Sequence, residues 1–334
     1  MEAFVVDSYR KAVEAASGGK NTVIRDKNGN PSVMVIIPKF KLEDIDSSLG
    51  TGTHPAFIVH GKEVPEIYYP KFQNIVVGGC GISQPGVDPT TSITFDQARA
   101  YAQAKGPGWH LSSNAEWAAI VLWSWKNGTM PRGNNNFGCD IDAPYEHGRE
   151  INQDQNRTAR VATGSGPASW YHDGTPFGVA DMNGNVWEWQ DGMRTVGGYI
   201  WVVGEDGTPM NNFDTQNTKG NNTGWIDTGL CYNDNKITAD KVATNNCDTA
   251  FENIAAASGV TVPAYFKALA LAPVATGLHS DHFWTGTDYT AEYIPLRGGG
   301  WGRQAYAGVF DLSVDRSRSN ANWSIGFRAA YIPR

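Results

Sequence analysis

Two stretches of this chain carry residue types whose spacing could do chemistry. The first, Phe177 to Trp189, reads FGVADMNGNVWEW. Asp181 and Glu188 can offer carboxylate oxygens while Gly184 and Val186 turn backbone carbonyls inward, which together make the hard oxygen set that calcium takes. In the competing reading the two carboxylates accept hydrogen bonds from loop amides or pair with an arginine. Both readings stand open at this point, and in both Trp187 and Trp189 belong to the core. A metal held here would be structural, because a tight backbone turn supplies its ligands and no nucleophile or base accompanies them.

The second stretch, Arg297 to Ala330, interleaves two classes of residue. Trp301, Val309, Phe310, Leu312, Trp323, Ile325 and Phe327 are large and apolar, and are expected to be buried as short strands against a core. Between them lie Gly300, Gly302, Arg303, Tyr306, Asp311, Ser313, Asp315, Arg316, Asn322 and Ser324. By type alone these are loop and strand-edge residues. As a set they suit recognition: aromatic and guanidinium groups dominate binding hot spots, so Tyr306 and Arg303 are the expected anchors, and the small residues set shape.

Other candidates are weaker. His110, His147 and His172 share neither a helix face nor a short spacing, and read as satisfied or exposed histidines. His279-Ser280-Asp281-His282 has ligand-like residue types but lies outside a recognisable metal motif, and reads as a loop. Glu43, Asp44 and Asp46 lack the glycine turn of a calcium hand. Cys80, Cys139, Cys231 and Cys247 are too few for a disulfide scaffold and lack zinc-ligand spacing, so buried free thiols are expected, with a Cys231 to Cys247 bridge left open.

Composition narrows the function classes. The net charge of -7 over 334 residues and the absence of a basic run argue against a nucleic-acid surface. No apolar run approaches membrane-spanning length, so no membrane insertion is expected, and Met1-Glu2-Ala3 opens a mixed helix instead of a signal peptide. Thirty-eight glycines and twelve tryptophans describe loops anchored by large aromatic side chains, which fits an irregular α+β chain.

The elements that must position both stretches are legible in outline. Val5, Tyr9, Ala12, Val13 and Ala16 share a helical face that stops at Gly18-Gly19. Residues 22–24 and 32–37 flank Asn28-Gly29 as a hairpin. The polar run 42–54 suggests a boundary, giving an N-terminal helix-hairpin appendage over 1–54 and a main domain over 55–334. Strands are expected at 56–59, 66–69 and 75–77. Thr94-Phe95-Asp96-Gln97 and Ser113-Asn114-Ala115-Glu116 are capping boxes that open two helices. The tract from Met130 to Pro176 wraps the surface, pinned by Phe137, Trp170 and Tyr171. Tyr199 to Val203 reads as a strand, the Asn-rich tract that follows has little to bury, and 249–257 and 264–271 look helical. Residues 195–290 therefore read as an insertion.

The pattern RGGGW…SNANW-IGFRAA resembles the C-terminal variable region of ligand-binding proteins diversified by retroelements, which have a C-type-lectin fold of the formylglycine-generating-enzyme type. GWHLSSNAEW and FGVADMNGNVWEW are similar to two further signatures of that fold. The resemblance covers most of the chain beyond residue 55. It implies that 297–330 is a variable region in which adenine-directed mutagenesis rewrites asparagine codons. The ten interleaved residues all have codons ending in a pyrimidine, whereas Trp301, Gln304 and Trp323 do not and are framework. It further implies structural calcium at Asp181, Gly184, Val186 and Glu188, with no catalytic cofactor. The implied partner is a protein or glycan receptor on a cell surface, bound by a phage tail protein on the virion or by a displayed bacterial protein. The N-terminal appendage would serve virion attachment or homo-oligomer formation. The rival is an enzyme on the same fold. Copper-type formylglycine generation needs a thiol pair in the C-terminal segment, and no cysteine follows Cys247; iron-dependent relatives need a histidine triad, and no histidine precedes His54.

Overall fold

The computed structural model describes residues 7–239, 245–286 and 288–333. Helix α1 (Ser8–Ser17) starts at Asp7, whose carboxylate accepts from Arg10 N, and ends at Gly18 in the left-handed conformation. Val5 of the expected helical face lies outside the described residues. Strands β1 (Asn21–Arg25) and β2 (Pro31–Pro38) form the expected hairpin around Asn28-Gly29. This hairpin is laid onto a larger sheet: β2 pairs antiparallel with β3 (Glu66–Pro70), and the sheet continues through the last strand of the chain, Ala329–Tyr331, to Trp109–Leu111. The polar run expected as a boundary therefore lies between two strands paired in one sheet.

Both capping boxes form, opening helices α2 (Phe95–Gln103) and α3 (Asn114–Asn127). Helix α3 is buried on nearly every side, with Trp117, Ala118, Ile120, Val121 and Leu122 all inside, as expected of a helix at the centre of a core. Its core cluster draws on Val35 and Ile37 of β2, Phe251 and Phe266 of the expected insertion, and Phe310 and Leu312 of the C-terminal stretch. Apolar burial thus ties together segments that composition had set apart.

Among the described residues the second sheet has 12 strands. Four of them hold the C-terminal stretch: His282–Thr285, Glu292–Arg297, Leu312–Arg316 and Ile325–Phe327. Leu312–Arg316 runs parallel to His282–Thr285 and antiparallel to Glu292–Arg297. The Asn-rich tract departs from expectation. Trp225–Asn233 pairs with Tyr199–Glu205, and Trp225, Leu230, Cys231 and Tyr232 are buried, because a few large residues suffice to anchor a strand inside a polar composition. The expected helix over 249–257 is instead a strand, a single 3-10 turn and a second short strand; only Tyr265–Ala268 of the second expected helix is helical. Among the described residues no helix is long and apolar enough to cross a membrane.

Candidate binding face and the 177–189 motif

The C-terminal stretch leaves its strand at Gly298 and Gly299, both with positive φ, where a side chain on Gly298 would press on the Met182 carbonyl. The loop is then clamped by backbone hydrogen bonds: Trp301 N donates to Asn185 O, Phe137 N to Trp301 O and Gln304 N to Asn135 O. A 3-10 turn, Gln304–Tyr306, follows. This turn raises Tyr306, which is 50% exposed, over the strand His282–Thr285. The Tyr306 ring lies 4.5 Å from the His282 ring and meets Trp284 edge-on at 5.9 Å. The Arg303 guanidinium sits 4.1 Å over the face of Trp284, a cation–π contact. His282 is in turn held by Asp248 at 2.7 Å. Trp284 and Asp248 did not stand out in the sequence; the aromatic run His282-Phe283-Trp284 was the only signal.

The ten interleaved residues divide by position. Gly302, Tyr306, Arg316 and Asn322 are exposed, and Arg303, Asp315 and Ser324 are half-buried. Gly300, Asp311 and Ser313 are buried, which corrects their expected place on the surface. Gly300 packs under Trp187, and Ser313 donates to Asp315 within its own strand. Asp311 is fully buried, and neither of its carboxylate oxygens has a partner. Burial, then the neighbouring Asp281, push its pKa well above the ordinary carboxylate range. Asp281, also fully buried, shifts the same way, although Phe310 N donates to it at 2.6 Å.

Most of the apolar framework is inside: Trp301, Val309, Phe310, Leu312, Ile325 and Phe327 are buried. Trp323 is the correction, at 44% exposed. It stacks edge-on against Trp301 at 4.7 Å, so its ring covers the framework tryptophan and faces solvent on the other side. Asn322 organises the same turn by accepting from Ser324 N and Oγ.

The framework is anchored from below. Arg297, fully buried, donates to Asn114 Oδ1 at the start of α3 and to the carbonyls of Ala270 and Phe310. Desolvation pulls its pKa down to about 10. Trp117 Nε1 donates to Val309 O.

The 177–189 motif contains a buried ion pair. Glu188 is 1% exposed, and its carboxylate receives Arg328 Nε at 2.7 Å and Nη2 at 3.0 Å, a two-pronged pair. Gln73 Nε2 donates to Glu188 Oε1 and also to the carbonyls of Val186 and Asp181. Asp181 Oδ2 accepts from Gly164 N, and burial raises its pKa to about 6. Gly184 lies against the Asn134 carbonyl, and its N–H donates to Gly298 O. The positive charge next to Glu188 is therefore a guanidinium, and an amide fills the space between the oxygens. Of the calcium set expected at Asp181, Gly184, Val186 and Glu188, the Glu188 carboxylate and the Val186 and Asp181 carbonyls are engaged by Arg328 and Gln73. The motif ties residues 181–188 to Arg328 and Gln73, three segments far apart in sequence.

The sequence family of the sulfatase-modifying factor enzyme 1-like domain matches residues 15–331. The chain belongs to this family. The match begins inside α1, so the sulfatase-modifying-factor domain takes in the N-terminal hairpin, and the mixed architecture of few helices and a curled sheet is the C-type-lectin-like fold of this family. Among solved structures, PvdO from Pseudomonas aeruginosa is 15% identical, with 93% of this chain and 98% of that one covered and a TM-score of 0.40. Treponema denticola variable protein 1 is 13% identical, with 94% and 99% covered and a TM-score of 0.36. The Major Tropism Determinant P3c variant is 11% identical over 92% of this chain, with a TM-score of 0.34. The chain spans 61% of that protein's length. No curated protein matches the chain.

The sulfatase-modifying-factor family includes enzymes, so its thiols and imidazoles matter here. No disulfide joins Cys231 to Cys247, and Cys231 Sγ donates instead to the Thr238 carbonyl. Cys80, Cys231 and Cys247 are buried, and burial raises the thiol pKa of Cys80, Cys139 and Cys247. His110 bonds Glu116 in the core, His172 is buried in another place and His147 is exposed, so the three do not meet. Among the described residues no three His, Cys, Asp or Glu side chains gather as a metal-holding group.

Proposed function

We propose that this chain is a receptor-binding protein whose contact surface is the 297–330 stretch, diversified by a retroelement. The observation that carries this reading is the half-exposed Tyr306, Arg303 and Trp284 cluster, raised on a short turn whose backbone is clamped to a buried framework. Large aromatic and guanidinium groups held rigid at a surface lose little entropy on binding, which is what hot spots require. The contact set is Gly302, Arg303, Tyr306, Asp315, Arg316, Asn322 and Ser324, with Trp284 and Trp323 as fixed neighbours. Gly300, Asp311 and Ser313 shape the face from beneath. The partner is a protein or glycan on a cell surface, met by a phage tail or by a bacterial surface display system. The encoding locus tests this reading. A nearby reverse transcriptase and a second copy of the stretch that differs only opposite template adenines are expected. A locus with neither would overturn it.

A further inference from the structure

A groove of about 430 Å³ opens between the N-terminal hairpin and helix α3, within the range of small-molecule sites. Its walls are mainly apolar: Ile36 and Ile37 of β2, Phe40, Ile120 and Trp123 of α3, and Phe177. Ile36, Phe40, Trp123 and Phe177 are only half-buried, so the wall keeps apolar surface open to water. The polar residues set into this wall, His172, Asp173 and Lys20, are not equally satisfied.

His172 is 6% exposed, and its backbone is fixed by hydrogen bonds to Val179, Ser124 and Thr129. Its Nδ1 accepts from Val179 N at 2.7 Å, which places the proton of the neutral ring on Nε2. Burial lowers its pKa to about 4, so the ring stays neutral at physiological pH and Nε2 acts only as a donor. Nε2 has no acceptor among the described residues. Asp173, beside it, turns back into its own loop, where Thr175 N and Oγ1 donate to it. Lys20 reaches Asp173 only at 3.8 Å and keeps 57% of its side chain exposed. Lys39 at the rim is paired with Glu63. The acid at this site is thus held within its own loop, whereas an imidazole N–H and a largely exposed ammonium are open to a ligand.

We propose that this groove binds a small monocarboxylate with an aliphatic tail, separately from the 297–330 face. The carboxylate accepts from His172 Nε2 and Lys20, and the tail covers Ile36, Phe40 and Trp123. A donor-only imidazole beside an ammonium selects an anionic acceptor over an alcohol or an amine.

Calorimetric titration of the full chain with sodium decanoate tests this, with decan-1-ol and decylamine as controls. Saturable binding of one decanoate per chain is expected, with decanol and decylamine at least about tenfold weaker, the loss of one charge-assisted hydrogen bond. His172→Asn keeps an acceptor for Val179 N and removes the Nε2 donor, and Lys20→Glu reverses the exposed charge. Each is expected to weaken decanoate about tenfold at unchanged melting temperature. Should His172→Asn lower the melting temperature, Lys20→Glu and Ile36→Glu carry the test. No decanoate binding up to about 1 mM, equal binding of decanol, or binding unaltered by Lys20→Glu and Ile36→Glu would each overturn the proposal.

Discussion

Glu188 and Asp311 are two carboxylates buried to the same depth in one core, and they have opposite surroundings. Glu188 receives a two-pronged guanidinium and an amide. Asp311 has neither oxygen satisfied, and it shares its pocket with a second buried acid, Asp281. A fully bonded charge ties distant segments into one register, whereas an unbonded one costs its own desolvation. The difference marks where the molecule is framework and where its residues answer to something other than folding.

The largest effect should come from the framework side. Arg328→Met leaves Glu188 charged and buried without its partner, and is expected to cost about 3–5 kcal/mol in urea unfolding at neutral pH. A loss below about 1 kcal/mol would put Glu188 on the same footing as Asp311 and erase the contrast.

Asp311 should behave in the opposite sense. Its folded pKa lies well above the unfolded value near about 3.9, so its protonated form is favoured by folding. The stability this lends is fully present below the unfolded pKa and is lost as pH rises through the folded pKa. Asp311→Asn removes the charge, and is expected to gain about 1–3 kcal/mol at neutral pH and to flatten the fall in stability from acid toward neutral pH. Unfolding curves at several pH values check both; a destabilised variant with an unchanged pH slope would show that Asp311 is satisfied in solution.

The 177–189 motif separates from a metal site by a null effect. With Arg328 and Gln73 occupying the oxygens of Glu188, Val186 and Asp181, the melting temperature is expected to be equal with calcium and with chelator. A drop on chelation that Glu188→Ala abolishes would restore calcium there. Similarly, protein supplied with copper or iron, oxygen and thiol substrates is expected to consume no oxygen above background, and reproducible turnover would favour the enzymatic reading.

How far these contrasts could be read from the chain depends on how local their causes are. Thr94 with Gln97 and Ser113 with Glu116 cap helices through contacts three residues apart, and Asn28-Gly29 turns a hairpin, so all three were legible. Phe310 and Leu312 were legible as framework by their size. Asp311, between them, looked like a surface residue because its surroundings are set by Asp281, Arg297 and the strand that runs parallel to the one beginning at Leu312, none of them near in sequence. Trp284 under Arg303 was hidden for the same reason. Trp323 misled in the other direction: a tryptophan can spend one face on Trp301 and leave the other to solvent. Arginine pairing and calcium binding ask the same residues of Glu188, and only the arrival of Arg328 from the far end of the chain separates them.

The central claim, that the exposed part of 297–330 is held by a framework it does not help to stabilise, is tested most directly by a pooled substitution scan of the stretch sorted for folding alone. Gly302, Arg303, Tyr306, Asp315, Arg316, Asn322, Trp323 and Ser324 are expected to accept most replacements within about 0.5 kcal/mol, Gly302 tolerating only small ones because a side chain there meets Phe137. Trp301, Phe310, Leu312 and Phe327 are expected to lose about 3–5 kcal/mol on truncation to alanine. If Arg303, Tyr306 and Arg316 prove as intolerant as Phe310 and Phe327, the stretch is core, and the binding face does not exist.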